Sequence, residues 1–165
     1  MSETLPIPLR QATSGDLPAI NRVIDAAVMG WKLPERVKRL ALPSYRYDAL
    51  DLDHLEILVA DALEDGVVAV AACEPANSAD LPEGRAGLLL HGLYVDPRSQ
   101  GQGIGQQLFR AVEEKVRQEG YDGLLVKAQP DATGFFQAMG MQGLESRVPA
   151  RDYPYRYWKP IKTPA

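Results

Sequence analysis

Apolar residues in the first third of the chain recur at helical spacing. Leu17, Ile20, Val23, Ile24, Ala27, Val28 and Trp31 share one face, and Thr13 with Asp16 three positions on forms the polar entry of a capping box. Residues 8–13, ahead of that entry, predict a short strand. A second, shorter helix is predicted from Pro34 to Leu40, with proline at its start where a missing N–H does no harm, and Pro43 is expected to stop it. From there to Asp53 the pattern loses its period, and an irregular segment holding Tyr45, Arg46 and Tyr47 is expected.

The period then shortens. Residues 55–61 and 67–74 are apolar runs joined by a five-residue link that ends in Asp65-Gly66, a hairpin signal. Residues 86–95 form a third long apolar strand whose pattern is broken by His91 and Gly92. Ile104, Leu108, Ala111, Val112 and Val116 return to helical spacing until Gly120. A strand at 123–128, a short helix at 132–139 and a last strand at 153–159 complete the chain. This order predicts a mixed α/β fold in one domain over residues 1–165.

Composition narrows the function classes. A length of 165 residues fits one ordinary domain, able to bury about 70% of its unfolded surface without metals or disulfides. The formal net charge of −4 leaves little of the basic footprint that nucleic acid requires. The longest apolar run, 67–73, is far short of a membrane span, and the first residues carry no apolar leader. A lone cysteine, Cys73, excludes an internal disulfide, and His54 and His91 are the only imidazoles, so no metal is expected. A soluble, cytoplasmic protein with no nucleic-acid or membrane partner is the expectation.

The candidate chemistry lies in residues 93–108, where Gly101, Gly103 and Gly105 alternate just before a predicted helix. Glycines there let a ligand approach backbone N–H groups that have no acceptor within the helix and sit at its positive end. A phosphate or pyrophosphate is the expected guest. No Lys-Ser/Thr pair follows these glycines, which argues against a P-loop. The dinucleotide fingerprint fails as well, because its third glycine would fall on Gln106 or Leu108.

The stretch resembles the acetyl-CoA motif of the GCN5-related N-acetyltransferase family, Gln/Arg-x-x-Gly-x-Gly/Ala. Gln100-x-x-Gly103-x-Gly105 satisfies it, as does the overlapping Arg98-x-x-Gly101-x-Gly103. Leu93-Tyr94-Val95-Asp96-Pro97 is similar to the family's strand exit, and residues 135–141, beginning Phe135-Phe136, are similar to its later Phe-Tyr-x-x-x-Gly-Phe segment. The resemblance implies a mixed, mostly antiparallel sheet with helices on both faces. It implies acetyl transfer from acetyl-CoA to a primary amine of a small molecule, peptide or protein, by direct attack in a ternary complex. Amides of Gln100, Gly101, Gln102, Gly103, Ile104 and Gly105 would hold the CoA pyrophosphate. The edge of Leu93, Tyr94 and Val95 would pair with the pantetheine arm, with Phe136 near the thioester. A strand glycine such as Gly92 marks a bulge or a close backbone approach, which suits the splayed strands of that family.

One departure matters. Many members use the Tyr of the Phe-Tyr segment as the acid for the leaving thiolate, and the aligned Phe136 has no hydroxyl. The thiolate can leave unprotonated, or Tyr94, Tyr153, Tyr155 or Tyr157 can replace the missing group, or the protein binds CoA as a sensor or interaction module with little turnover. His91 is the candidate general base, beside the alternative of a structural strand histidine, and Glu74 is a second candidate. Trp31, Tyr45 and Tyr47 fall where this fold builds its acceptor pocket. Homodimers are common in the family, and the terminal strand with Tyr155, Tyr157 and Trp158 is the expected place for one.

Overall fold

A computed structural model describes residues 6–128, 132–146 and 155–162. Its elements are β1 (Leu9–Gln11), α1 (Leu17–Met29), α2 (Glu35–Tyr45), α3 (Ala49–His54), β2 (Glu56–Asp61), β3 (Val67–Pro75), β4 (Gly87–Val95), α4 (Ile104–Glu119), β5 (Gly123–Lys127), α5 (Thr133–Ala138), β6 (Gln142–Gly143) and β7 (Arg156–Pro160). The strands are hydrogen-bonded in the order β1-β2-β3-β4-β5-β7-β6. The mixed, mostly antiparallel α/β sheet expected from the sequence is observed.

The chain clusters into two compact units, residues 1–72 with 92–108 and residues 73–91 with 109–165. In the first, β1 pairs antiparallel with β2, and the β2–β3 hairpin closes through Ala62 N–H to the Gly66 carbonyl at 2.8 Å. Its core gathers Ile20, Val23, Ile24, Ala27 and Val28 of α1, the helix face the sequence predicts, with Tyr47, Ile57, Val59, Val70 and Tyr94. Thr13 N–H and Oγ1–H both donate to the Asp16 carboxylate, at 2.8 and 3.1 Å, and Arg10 holds the same carboxylate at 2.7 and 2.8 Å.

In the second unit, β4 pairs parallel with β5 from Gly87↔Gly123 to Leu90↔Val126, and β5 and β6 each pair antiparallel with β7. Leu81, Leu125 and Trp158 form one cluster, with Trp158 covering Gly87 and Gly123 where any Cβ would meet its ring at 2.8 and 2.6 Å. Phe109, Phe135 and Phe136 form another, at centroid distances of 5.2 to 6.3 Å. The buried Glu113 carboxylate accepts hydrogen bonds from Arg110 and, at 2.8 Å, from Lys159, which also donates to the Met139 carbonyl at 2.9 Å. Cys73 is buried, as a small apolar residue on β3 should be.

Several expectations need correction. Pro43 does not stop α2, which runs on to Tyr45. It lies in the last turn, where its absent N–H forfeits one ladder bond, and Arg46 N–H still reaches the Leu42 carbonyl at 3.2 Å. The stretch expected to be irregular contains α3, entered by a capping box of Asp48 and Asp51. The helix it opens is six residues long, too short to show an apolar helical period in the sequence. Trp31 lies beyond the end of α1 rather than on it, and the short strand β6 had no pattern of its own. His91 and Gly92 break the apolar pattern without breaking β4, which is continuous to Val95. The last strand is described from Arg156, and Tyr153 lies outside the described residues.

Candidate active site

The loop after β4 is built by local bonding. The Asp96 side chain caps a single 3-10 turn over Pro97–Ser99 by accepting the Arg98 N–H at 3.0 Å, and Ser99 N–H closes on the Asp96 carbonyl at 2.8 Å. Gln100 folds back so that its Nε2 donates to the Val95 carbonyl at 3.3 Å. Gly101 and Gly103 then take φ of +82° and +79°, the left-handed region that a Cβ disfavours. A Cβ at either would meet nothing within 4 Å. The glycines are required by the backbone conformation, and the space in front of them is open.

The first α4 ladder bond runs from Gln107 N–H to the Gly103 carbonyl at 3.0 Å. The amides of Ile104, Gly105 and Gln106 therefore have no acceptor within the helix, and the helix dipole adds positive potential there. An open cradle of left-handed glycines followed by helix-start amides fits an anionic phosphate group. The side chain of Ile104 is buried and anchors the turn.

Strand β4 carries the other candidates, and alternation sorts them. Leu88, Leu90 and Tyr94 are buried, whereas His91 is exposed and Leu93 and Val95 are half-buried. His91 and Tyr94, three positions apart, therefore project from opposite faces of the strand. The parallel ladder to β5 ends at Leu90↔Val126, one residue before His91, while on the other side Asp96 N–H still bonds the Val68 carbonyl of β3 at 2.8 Å. Leu93 to Val95 lie beyond the last rung of that ladder.

The first unit brings Trp31, Tyr45, Tyr47 and Tyr94 together. Tyr47 and Tyr94 are members of one buried cluster, Trp31 and Tyr45 pack against it, and the Trp31 and Tyr45 rings meet edge-on at 5.3 Å. Gly92 explains how two tyrosines reach the strand: a Cβ there would lie 2.6 Å from the Tyr47 hydroxyl and 2.6 Å from Tyr94 Cε2. The close approach expected at this glycine is real, and side chains make it. Burial, with the nearby Tyr45 adding to it, pushes the Tyr94 phenol well above its ordinary value, so it stays neutral.

Two residues that position this cluster carried no sequence signal. Asn21, one place along from the apolar face of α1, donates through Nδ2 to the Tyr47 carbonyl and accepts the Tyr47 N–H through Oδ1, both at 2.9 Å. Lys38 donates to the carbonyls of Met29 at 2.6 Å and Trp31 at 3.2 Å, which ties α2 to the end of α1. Phe136 belongs to the second unit and is buried against Phe109 and Phe135, and Glu74 is half-buried at the end of β3. Of the terminal aromatics, Tyr157 and Trp158 are core and Tyr155 is exposed, so they do not make a shared apolar surface. Among the described residues no helix is long and apolar enough to cross a membrane, and no group of three or more His, Cys, Asp or Glu could hold a metal ion.

The model of the acetyltransferase (GNAT) family matches residues 25–141, which include the loop, β4 and the Phe135-Phe136 segment. The chain belongs to that family. As an acetyltransferase-family enzyme it has many structural relatives at low identity. It resembles a GCN5-related N-acetyltransferase from Rhodopseudomonas palustris with a TM-score of 0.76 and 18% identity, covering 98% of this chain and 99% of that one. The PaiA N-acetyltransferase from Thermoplasma acidophilum, solved with coenzyme A, gives 0.73 and 13% over 95% and 100% of the two chains. A GNAT acetyltransferase from Brucella melitensis, solved with acetyl-CoA, gives 0.64 and 19% over 96% and 90%. No curated protein sequence matches significantly.

Proposed function

We propose that the protein transfers an acetyl group from acetyl-CoA to a primary amine. The observation that carries this reading is the pair of left-handed glycines, Gly101 and Gly103, opening onto free space at the start of α4 in a chain of this family. Acetyl-CoA would supply an already activated thioester, so the protein needs no covalent intermediate. Its work is to bind, orient and move protons.

Each residue contributes by its place. The amides from Gln100 to Gly105 receive the pyrophosphate, and the edge of Leu93, Tyr94 and Val95 offers backbone partners to the pantetheine arm. Trp31 and Tyr45 would line the acceptor side, where aromatic faces suit an amine, with the buried Tyr47 in the cluster they pack against. His91, exposed on the face of β4 opposite Tyr94, would take the proton that the amine loses through water and not directly. Phe136 supplies packing and no acid, which leaves the thiolate, whose parent thiol has an ordinary pKa of about 8.5, to depart without a strong donor. The lone, buried Cys73 suits a reducing compartment, and the cytoplasm is the proposed location.

Phe136 also motivates a second reading, a CoA-binding module with little turnover. Release of thiol from acetyl-CoA, followed across a panel of amines, separates the two. Amine-dependent release supports the enzyme; CoA affinity by calorimetry without any release supports the module; absence of CoA binding at millimolar ligand overturns both.

A further inference from the structure

Helix α2 turns two of its apolar side chains away from the core. Leu42 is the buried residue of the helix, yet Leu40 and Val37, two and five positions before it, point about 200° and 140° away from it. Both are exposed, Leu40 to 74%, and Leu33 just ahead of the helix is exposed as well. The charges of α2 are basic in excess. Lys38 is taken up by the carbonyls of Met29 and Trp31, and Arg39 pairs with Glu35 at 2.6 Å. Arg36, one turn before Leu40, is exposed and enters no hydrogen bond or ion pair with another described residue.

The complement follows in the same unit. Helix α3 packs Leu52 against the core, so Leu50, two positions before it, faces outward and is 66% exposed. The charges of this segment are acidic. Asp48 and Asp51 accept each other's backbone N–H groups in the capping box. The Asp53 side chain, one turn after Leu50, is exposed and has no hydrogen bond or ion pair with another described residue.

Each helix therefore presents an exposed leucine with an uncompensated charge about one turn away, and the two charges are opposite. Leucine laid on leucine brings Arg36 of one copy to Asp53 of another, and two-fold symmetry makes the contact twice. We propose that the protein associates with a second copy of itself through α2 and α3, Arg36 of each copy pairing with Asp53 of the other while Leu40 meets Leu50. The apolar contact supplies the association, and the charge pairs set its register. This surface lies in the first unit, whereas the terminal strand belongs to the second. With Leu33, Val37, Leu40 and Leu50 as its exposed apolar side chains, it suits a weak, concentration-dependent dimer in place of an obligate one. The association needs neither donor nor acceptor.

The test is sedimentation equilibrium of the full chain over a range of concentrations. It compares the wild type, Arg36→Glu, Asp53→Arg, the double variant Arg36→Glu/Asp53→Arg and an equal mixture of the two single variants, with circular dichroism recorded for each. The wild type is expected to dimerise as concentration rises. Either single reversal sets like charges opposite each other at both contacts and should weaken dimerisation about tenfold. The double variant restores both pairs with their signs exchanged and should recover. In the mixture, a copy of one variant facing a copy of the other again has opposite charges at both contacts, so heterodimers should form where neither variant pairs with itself. Damage confined to one protomer would not be rescued in this way. A wild type that stays monomeric at every concentration overturns the proposal. So does a wild-type dimer that both reversals leave unchanged, which would put the contact on another surface, and so does a loss that neither the double variant nor the mixture recovers.

Discussion

Asn21 grips Tyr47 from both directions, donating to its carbonyl and accepting from its amide at 2.9 Å each. The side-chain carboxamide of α1 thereby replaces two backbone partners for a residue that lies between α2 and α3, outside any ladder. Because Tyr47 is buried, the groups released by Asn21→Ala would be left poorly hydrated. The expected cost is about 2 kcal/mol, or a fall of about 5 °C in thermal midpoint for a chain of this size. Asn21→Asp keeps one half of the clamp and should fall between the two. A midpoint for Asn21→Ala within 1 °C of wild type, by roughly that scale, would remove the clamp from the account.

Gly92 is the point where this positioning meets the strand. A methyl there must displace the Tyr47 hydroxyl and the Tyr94 ring, and Tyr47 cannot retreat easily while Asn21 holds its backbone. Gly92→Ala is expected to cost about 2 kcal/mol by overpacking, and less when Tyr47→Phe removes the hydroxyl. The measurement is a double-mutant cycle in urea. Simple additivity of the two costs would show that the hydroxyl and the methyl never compete.

Gly103→Ala separates backbone strain from ligand exclusion. Both Gly103 and Gly120 have left-handed φ, +79° and +77°, and a Cβ at either meets nothing within 4 Å. Alanine at each should therefore cost the same strain, about 1 kcal/mol. Gly120 closes α4 far along the chain from the cradle, so Gly120→Ala should leave CoA affinity unchanged, whereas Gly103→Ala places its methyl where the pyrophosphate would sit. The expected loss at Gly103 is tenfold or more in affinity, read by calorimetry, a change of about 1.4 kcal/mol. Equal affinity in the two variants would dissociate the loop from the donor.

The pH dependence of turnover tests His91. A histidine base must be neutral to accept a proton, so kcat/KM should fall on the acidic side in the wild type. His91→Ala is expected to lower the rate and flatten that acidic limb. Because His91 and Tyr94 leave β4 by opposite faces, Tyr94→Phe should leave the acidic limb in place and act, if at all, on the amplitude. An unchanged profile in His91→Ala would make His91 a structural residue of the strand edge.

The parts of this site that were legible in the sequence are those that local chemistry decides. Gly101 and Gly103 announce left-handed backbone, and Ile104 with Leu108 announces a helix directly after them; both follow from residues a few positions apart. The face of α1 was equally plain, because Ile20, Val23, Ile24, Ala27 and Val28 all turn inward. What stayed hidden depends on partners distant in the chain. Asn21 and Tyr47 are 26 positions apart, and nothing in the neighbourhood of Asn21 says that its carboxamide faces a backbone segment. The continuation of α2 through Pro43 was missed for a related reason, since a proline rule judges one ladder bond and not the packing of Leu42 into the core.

Acid titration gives a last check on how the first unit is pinned. The hydrogen bonds from Arg10 hold the Asp16 carboxyl well below the ordinary carboxylate range, with Thr13 N–H and Oγ1 helping and burial opposing. A carboxyl whose folded value is lowered contributes stability that is fully present above the unfolded value, about 4, and is lost as pH falls from there toward the folded value. Asp16→Asn removes the titrating group while keeping a side-chain acceptor for Thr13. The variant should therefore be less stable than wild type at neutral pH, and the gap should narrow steadily as pH is lowered below about 4. The buried Glu113 carboxyl, which burial raises and Lys159 and Arg110 together hold below its usual range, titrates in the same sense, but it is present in both proteins and cancels in the difference. Urea midpoints of the two proteins across that pH range decide the matter. A gap that stays constant with pH would mean that Asp16 stabilises the turn by shape alone, without its charge.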